Sequence, residues 1–287
     1  MLGFLLALLS AASKATTDVF SKKGLDKTDE YVVAFALRFF TLPFMALILL
    51  SIPIPLLDST FYAAAFSSAF VNMFSTILYL KAIKESPLSL TIPFLSFAPI
   101  FILVIASVFF GEFPGIYGIA GVFLVVIGTY LLNLSKTKEG LLAPFKAILK
   151  EKGSRYMLVV AFLYSITTSL DKLAVTHSSP LFYAVVFNSL LSLFMFFAML
   201  KFSKNHLTDL RKHKKVLFPA GFFMALASIA YFMSLSMILV VFVSAIKRTN
   251  SLFSIFYGKY FFGEDNIKER LLGAFIMILG VLMITIL

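Results

Sequence analysis

The chain predicts an all-α membrane protein of ten transmembrane helices, built as two inverted five-helix repeats. Three observations lead there. Apolar side chains make up 60% of its 287 residues and charged ones only 14%, against about 25% charged in a soluble domain. Ten long apolar segments follow one another, at residues 2–20, 31–51, 60–80, 87–110, 114–134, 156–174, 180–202, 216–235, 237–262 and 266–287. Lastly, F-F-G-E at 109–112 recurs at 261–264, and the same spacing of 152 pairs Gly121 with Gly273, Gly128 with Gly280 and Tyr79 with Tyr231.

Each segment is near the ~20 residues a helix needs to cross ~30 Å of hydrocarbon. Membrane strands alternate over ~10 residues, so runs of this length are helices. The first segment starts at Met1 without a basic leader and reads as a retained helix. The longest hydrophilic stretch, 135–155, leaves no room for a soluble domain. It separates a first repeat, 1–135, from a second, 156–287, with 136–155 as a basic loop. Near the start an offset of 150 pairs Thr17 with Thr167 and Lys22 with Lys172. Five spans per repeat force the two copies into opposite orientations.

Charge fixes the expected orientation. Of 25 Lys and Arg residues, all but Lys14, Arg38, Lys172, Lys247 and Arg248 fall in or beside the odd-numbered connections. The positive-inside rule puts those connections in the cytoplasm and both termini outside, in a plasma membrane. The net charge of +11 is thereby a topology signal and a contact for anionic membrane lipid, not a nucleic-acid footprint.

The five exceptions carry the functional information, because a charge at mid-bilayer costs at least ~2.5–3.5 kcal/mol and normally faces a bundle interior or a wet cavity. With the ninth span starting near Met237, Lys247 is ten residues in, or ~15 Å deep. Ser244, Lys247, Asn250, Ser251 and Ser254 form one polar stripe, with Arg248 about 100° around the helix. Arg offers a planar fork to a carboxylate or phosphate and Lys a movable point charge, so the stripe is a candidate anion site. The opposing reading is neutralisation by an acid, for which Asp18, Asp171, Glu112 and Glu264 are the candidates. Arg38 is either a second anion contact or half of a salt bridge. Lys14 and Asp18, four apart, form a private pair or a coupling and gating element. Asn72, Asn188, Tyr79 and Tyr231 line a pathway or join helices. Asp171 and Lys172 read as a solvated helix end, and Glu112 and Glu264, each after Gly, as turn residues.

The stretch YLKAIKESPLSLTIP from Tyr79 to Pro93, then APIF from Ala98, FFGE from Phe109, Gly121 and Gly128, resembles the EamA repeat of the drug/metabolite transporter superfamily. The resemblance covers nearly the whole chain in two copies. It implies a ten-helix carrier of small metabolites working by alternating access, with spans 3, 4, 8 and 9 near the pathway and 5 and 10 peripheral. The family commonly keeps both termini in the cytoplasm, contrary to the charge count. The second copy lacks prolines at the positions of Pro87, Pro93 and Pro99 and carries SAIKRTN from Ser244. That Lys-Arg pair is similar to the phosphate-gripping pair of plastid triose-phosphate translocators.

Catalysis finds no footing. His177, His206 and His213 lie in or beside loops without HExxH spacing, and there is no GxSxG or Walker A motif. With no cysteines, disulfides and thiolate metal sites are excluded. The expectation is a secondary transporter for a small anionic or phosphorylated metabolite, with no cofactor or metal, acting as a monomer or homodimer. An amino-acid or zwitterion exporter and a lipid flippase are the alternatives.

Overall fold

In hydrocarbon every backbone N–H and C=O must find a partner within the chain, and the helix supplies them all. A computed structural model of the chain describes residues 1–25, 28–85, 92–134, 152–203, 206–253, 256–257 and 271–286, and among these there is no strand. Lys27, Pro87, Lys204, Ser254, Lys259, Lys268, Arg270, the second F-F-G-E with Glu264, and the basic loop up to residue 151 lie outside them.

The helices are α1 Leu2–Leu25, α2 Glu30–Phe39, α3 Leu42–Ser51, α4 Ser59–Glu85, α5 Ala98–Phe110, α6 Ile116–Leu134, α7 Lys152–Thr176, α8 Pro180–Phe202, α9 His206–Met237, α10 Val240–Lys247 and α11 Leu271–Ile286. A 3₁₀ helix, Ile92–Phe97, precedes α5. Six helical stretches are long and apolar enough to cross a membrane: Leu2–Leu25, Glu30–Ser51, Ser59–Tyr79, Lys152–Thr176, Pro180–Phe202 and Thr208–Met237. Three more, Phe94–Phe110, Ile116–Leu132 and Leu272–Ile286, are apolar but shorter.

The chain forms two compact units, each drawing on both sequence halves, and it passes from one to the other within α4 and α7. The first unit comprises Ser75–Ser169 and Ile238–Leu287. Its tightest packing joins α6 to α11, where glycines replace side chains. A Cβ on Gly128 would lie 2.7 Å from the Gly273 carbonyl oxygen, and one on Gly121 would lie 2.8 Å from that of Gly280. Spacing by seven puts both glycines of each helix on one face, and the crossed pairing makes the helices antiparallel. Near the 3₁₀ helix, Phe94 packs with Ala82, Met157 and Val160, and Tyr79 borders this cluster.

The second unit comprises Leu2–Phe74 and Leu170–Met237. In it α1 buries an alanine stripe, Ala7, Ala11 and Ala15, at the i, i+4 spacing that brings small residues to one seam. The partner is α9, antiparallel: the Ser10 hydroxyl donates to the Ala227 carbonyl and that of Ser234 to the Gly3 carbonyl, both at 2.9 Å.

Three spans differ from expectation. Span two is not continuous but breaks at Phe40–Thr41 between α2 and α3, since Pro43 lacks the N–H that would bond back one turn. There Gly221 of α9 approaches so closely that a Cβ on it would sit 2.4 Å from Phe40 Cβ. Span eight begins at His206 rather than 216. Arg211, Lys212, Lys214 and Lys215, read as connection residues, thus ride on its first turns, because hydropathy marks only the apolar stretch while helical hydrogen bonding runs on past it. Span nine, expected over 237–262, is described as an eight-residue helix ending at Lys247, a two-residue turn, and helix again at 250–253 and 256–257.

Candidate functional site

In the second unit, one carboxylate gathers four helices. Asp171 of α7 is 3% exposed. Its Oδ1 accepts the hydroxyls of Ser68 from α4 at 2.5 Å and Tyr183 from α8 at 2.6 Å, and Oδ2 accepts that of Tyr231 from α9 at 3.2 Å. Local sequence places each donor. Ser179 caps α8 by accepting the Phe182 N–H at 3.3 Å, with Pro180 opening the helix, so Tyr183 enters the bundle one turn later. Lys172 turns the other way and donates to the Leu235 carbonyl at 2.6 Å, among the last carbonyls of α9 that have no intrahelical donor. The expectation of a solvated helix end at Asp171 and Lys172 is therefore overturned. The apolar run stops at 174, but α7 continues to Thr176, and the carboxylate is enclosed by hydroxyls from distant sequence.

About 7.5 Å further along α8, five residues on from Tyr183, stands a cation. Arg38 Nη1 donates to Asn188 Oδ1 at 3.0 Å, and its guanidinium lies over the Phe187 ring, 5.7 Å from the centroid. Asn188 is aimed by its own amide, which donates to the Ala184 carbonyl at 2.8 Å, and the Ser228 hydroxyl lies 3.5 Å from the same Oδ1. Rings separate the two charges: Tyr183 and Phe187 are 5.8 Å apart, and Phe232 packs on both, at 4.7 and 5.3 Å.

In the first unit, α10 carries the Lys-Arg pair. Its first turn leaves N–H groups without intrahelical acceptors, and Leu239 offers no side-chain cap. Glu112 supplies one, accepting the Val240 N–H at 2.9 Å. Gly111, at φ 62, ends α5 and turns the chain so that Glu112 reaches across. Seven residues on, the α-helix gives way at the pair. The N–H groups of Arg248 and Thr249 bond three residues back, to Ala245 and Ile246, at 3.0 and 2.9 Å, and Ser251 and Leu252 repeat the pattern at 3.1 and 2.9 Å. Counted from Val240, Lys247 is about 10 Å along its helix rather than 15. The expected continuous stripe is interrupted by the tight turn at Arg248–Thr249 and resumes in helix at 250–253: Ser244 is buried, while Lys247, Arg248, Asn250 and Ser251 are half-buried. A cation in the last turn also complements the helix dipole, which offsets part of its cost.

Of the acids proposed as neutralisers, the three among the described residues have partners where they stand. Asp18 pairs with Lys14, Glu112 holds the start of α10, and Asp171 accepts three hydroxyls. Of the other expected residues, Tyr231 joins the Asp171 cluster, Tyr79 packs in the first unit, and Asn72 is half-buried on α4. Sequence reasoning missed Ser68 and Tyr183, which carry no local motif, and undervalued Asp171, whose signal was an acid inside an otherwise apolar span.

A solved structure described only as "Crystal structure of protein" matches with a TM-score of 0.76 and 12% sequence identity, over 99% of this chain and 95% of that one; at this identity the likeness speaks for the fold alone. No curated protein matches the chain. The model of the EamA-like transporter family matches twice, at residues 1–134 and 151–286. With both halves matched, the chain, an integral membrane protein, belongs to the EamA-like transporter family.

Proposed function

We propose that this transporter is a secondary carrier for a small anionic metabolite, operating by alternating access, and that Lys247 and Arg248 hold the anion with Ser244, Asn250 and Ser251 beside them. One observation supports this most. The 3₁₀ helix at Ile92–Phe97 and the tight turn at Arg248–Thr249 occupy corresponding positions in the two repeats, since residues 92–97 map onto 244–249 at the spacing of 152. Interrupted helices at matching places in two halves are the backbone signature of a transporter binding site, because irregular backbone at membrane depth persists where it borders a cavity. In the first copy, Pro93 and Pro99 account for the irregularity. The second breaks without proline and puts two cations there.

Purified protein should be screened by thermal shift against phosphorylated metabolites, organic acids and amino acids. A ligand that prefers the folded state raises the melting point by mass action. An anion that stabilises the native chain should leave Arg248→Ala unshifted while that variant inserts and melts normally without ligand. Equal stabilisation of both proteins removes the site from α10.

A further inference from the structure

Helix α9 outruns its apolar stretch. Its start, 206–215, includes Arg211, Lys212, Lys214 and Lys215, and all four are exposed. Contacts on the opposite face keep this extension helical. Leu217 is fully buried against Gly24 of α1, where an added Cβ would meet it at 2.8 Å, and Asp209 accepts the Thr28 hydroxyl at 2.8 Å. None of the four cations takes part in an ion pair among the described residues.

The outward face has an order. At about 100° per residue, Arg211, Lys215, Phe218 and Phe222 share one stripe, with Lys214 and Lys212 to either side. Phe218 and Phe222 remain 46% and 43% exposed, although Phe44 of α3 packs on both rings, at 5.9 and 5.2 Å, and Phe40 on Phe218 at 5.7 Å. The break at Phe40–Thr41 brings these rings to α9, since the Thr41 hydroxyl donates to the Gly221 carbonyl at 3.1 Å. The stripe therefore passes from cations to an aromatic bed, and Lys215 stands only ~4.5 Å along the helix from Phe218.

We propose that this stripe binds an anionic phospholipid, its phosphate held by Arg211 and Lys215 and an acyl chain lying over Phe218 and Phe222. A free phosphate or an acidic peptide would use the cations and leave the rings idle. A phospholipid uses both, at the depths where its head and its chain already lie. Arg offers a planar fork to phosphate and Lys a mobile point charge, and both side chains are long enough to reach up to the headgroup layer. On the charge rule this end of the span meets the cytoplasmic leaflet, where anionic lipids concentrate. Because the helix is already held from its other face, its backbone need not be ordered on binding. The site is separate from the anion reading at α10 and stands or falls without it.

The chain has no tryptophan, so Phe222→Trp supplies a lone indole beside the proposed acyl chain. In mixed micelles of a neutral detergent, bromine-labelled phosphatidylglycerol should quench it at a lower lipid fraction than bromine-labelled phosphatidylcholine. That preference should shrink about five-fold for each cation removed in Arg211→Gln and Lys215→Gln. It should persist with Lys152→Gln and Arg155→Gln, which remove two exposed cations of α7, and fade between about 0.05 and about 0.5 M salt. Thermal melts of the native chain should show phosphatidylglycerol stabilising it more than phosphatidylcholine does, with water-soluble glycerol phosphate giving no such gain. Equal quenching by the two lipids, or a preference reduced as much by the α7 substitutions as by those in α9, would overturn the proposal. Equal stabilisation by glycerol phosphate would also overturn it, by making the stripe a site for free phosphate. If the α9 double variant does not fold, the salt series on Phe222→Trp alone decides, and a preference indifferent to salt counts against the stripe.

Discussion

Gly128 of α6 and Gly273 of α11 occupy each other's missing side-chain space: a Cβ built on either would lie 2.7 Å from the carbonyl oxygen of the other. The relationship is reciprocal and repeats two turns away between Gly121 and Gly280. Gly121 and Gly273 are equivalent in the two repeats, as are Gly128 and Gly280, so each glycine meets the counterpart of its neighbour. That pairing arises when two copies of one helix run in opposite directions and pack face to face. An internal duplication seen as a spacing of 152 residues thus becomes a local near-two-fold contact inside the first unit.

Gly128→Ala and Gly273→Ala should each destabilise the protein, because the new methyl meets backbone, 2.5 Å from the Met277 and Leu132 nitrogens respectively, and backbone cannot swing aside as a side chain can. Overpacking of this kind costs about 1–3 kcal/mol. Thermal melts in detergent would show it, and Gly128→Leu should fall further than Gly128→Ala. An alanine variant melting with the native chain would mean that α6 and α11 separate freely.

Glu112→Ala should lower stability by about 0.5–2 kcal/mol, the range for losing a helix cap, by stripping the acceptor from the Val240 N–H. Glu112→Gln keeps an acceptor oxygen and should recover most of the loss. A carboxylate acting as a proton carrier would not be rescued by the amide, so equal defects in the two variants argue against a capping role.

Legibility in the sequence followed range of interaction. Apolar runs marked the helices, since the need to satisfy backbone groups in hydrocarbon acts residue by residue. The private pair of Lys14 and Asp18 was visible because four residues is one helical turn. The meeting of Arg38 with Asn188, 150 positions away, was not, though both stood among the candidates. Asp171 misled because its enclosure comes from Ser68, Tyr183 and Tyr231, three ordinary residues that matter only once α4, α8 and α9 are assembled. The breaks at Phe40–Thr41 and Arg248–Thr249 also escaped, as hydropathy does not register how a backbone bonds.

Asp58 should confer a pH-dependent stability confined to strong acid. It lies between α3 and α4, where its carboxylate accepts the Phe61 N–H at 2.8 Å and meets His177 Nδ1 at 2.7 Å. The Phe61 N–H, then His177, holds its titration below the ordinary value of 3.8. A depressed carboxyl stabilises the fold fully above its unfolded value and loses that contribution as pH falls through the folded one. Asp58→Ala should therefore melt below the native chain at neutral pH by a constant margin, which narrows only below about pH 3.8. A margin that closes already near neutrality would assign the effect to another group.

A reporter fused after Leu287 should behave as extracytoplasmic, with basic connections on the opposite side. The described connections that alternate with the basic ones are 52–58, 111–115, 177–179 and 238–239, and none contains Lys or Arg. Around the basic connections the cations extend onto the helices themselves, as Lys81 on α4, Lys152 and Arg155 on α7, and Arg211, Lys212, Lys214 and Lys215 on α9. Cations within the last turns of a span, or within ~15–20 residues of it, decide which end is retained in the cytoplasm, while acids contribute little. The bias is consistent at every described connection, so reversing the chain would require moving each cluster across the membrane. A cytoplasmic signal from the fusion would show that something other than these lysines and arginines sets the orientation. Replacing Arg211, Lys212, Lys214 and Lys215 with glutamine should then leave it unchanged, whereas under the charge rule it weakens the preference.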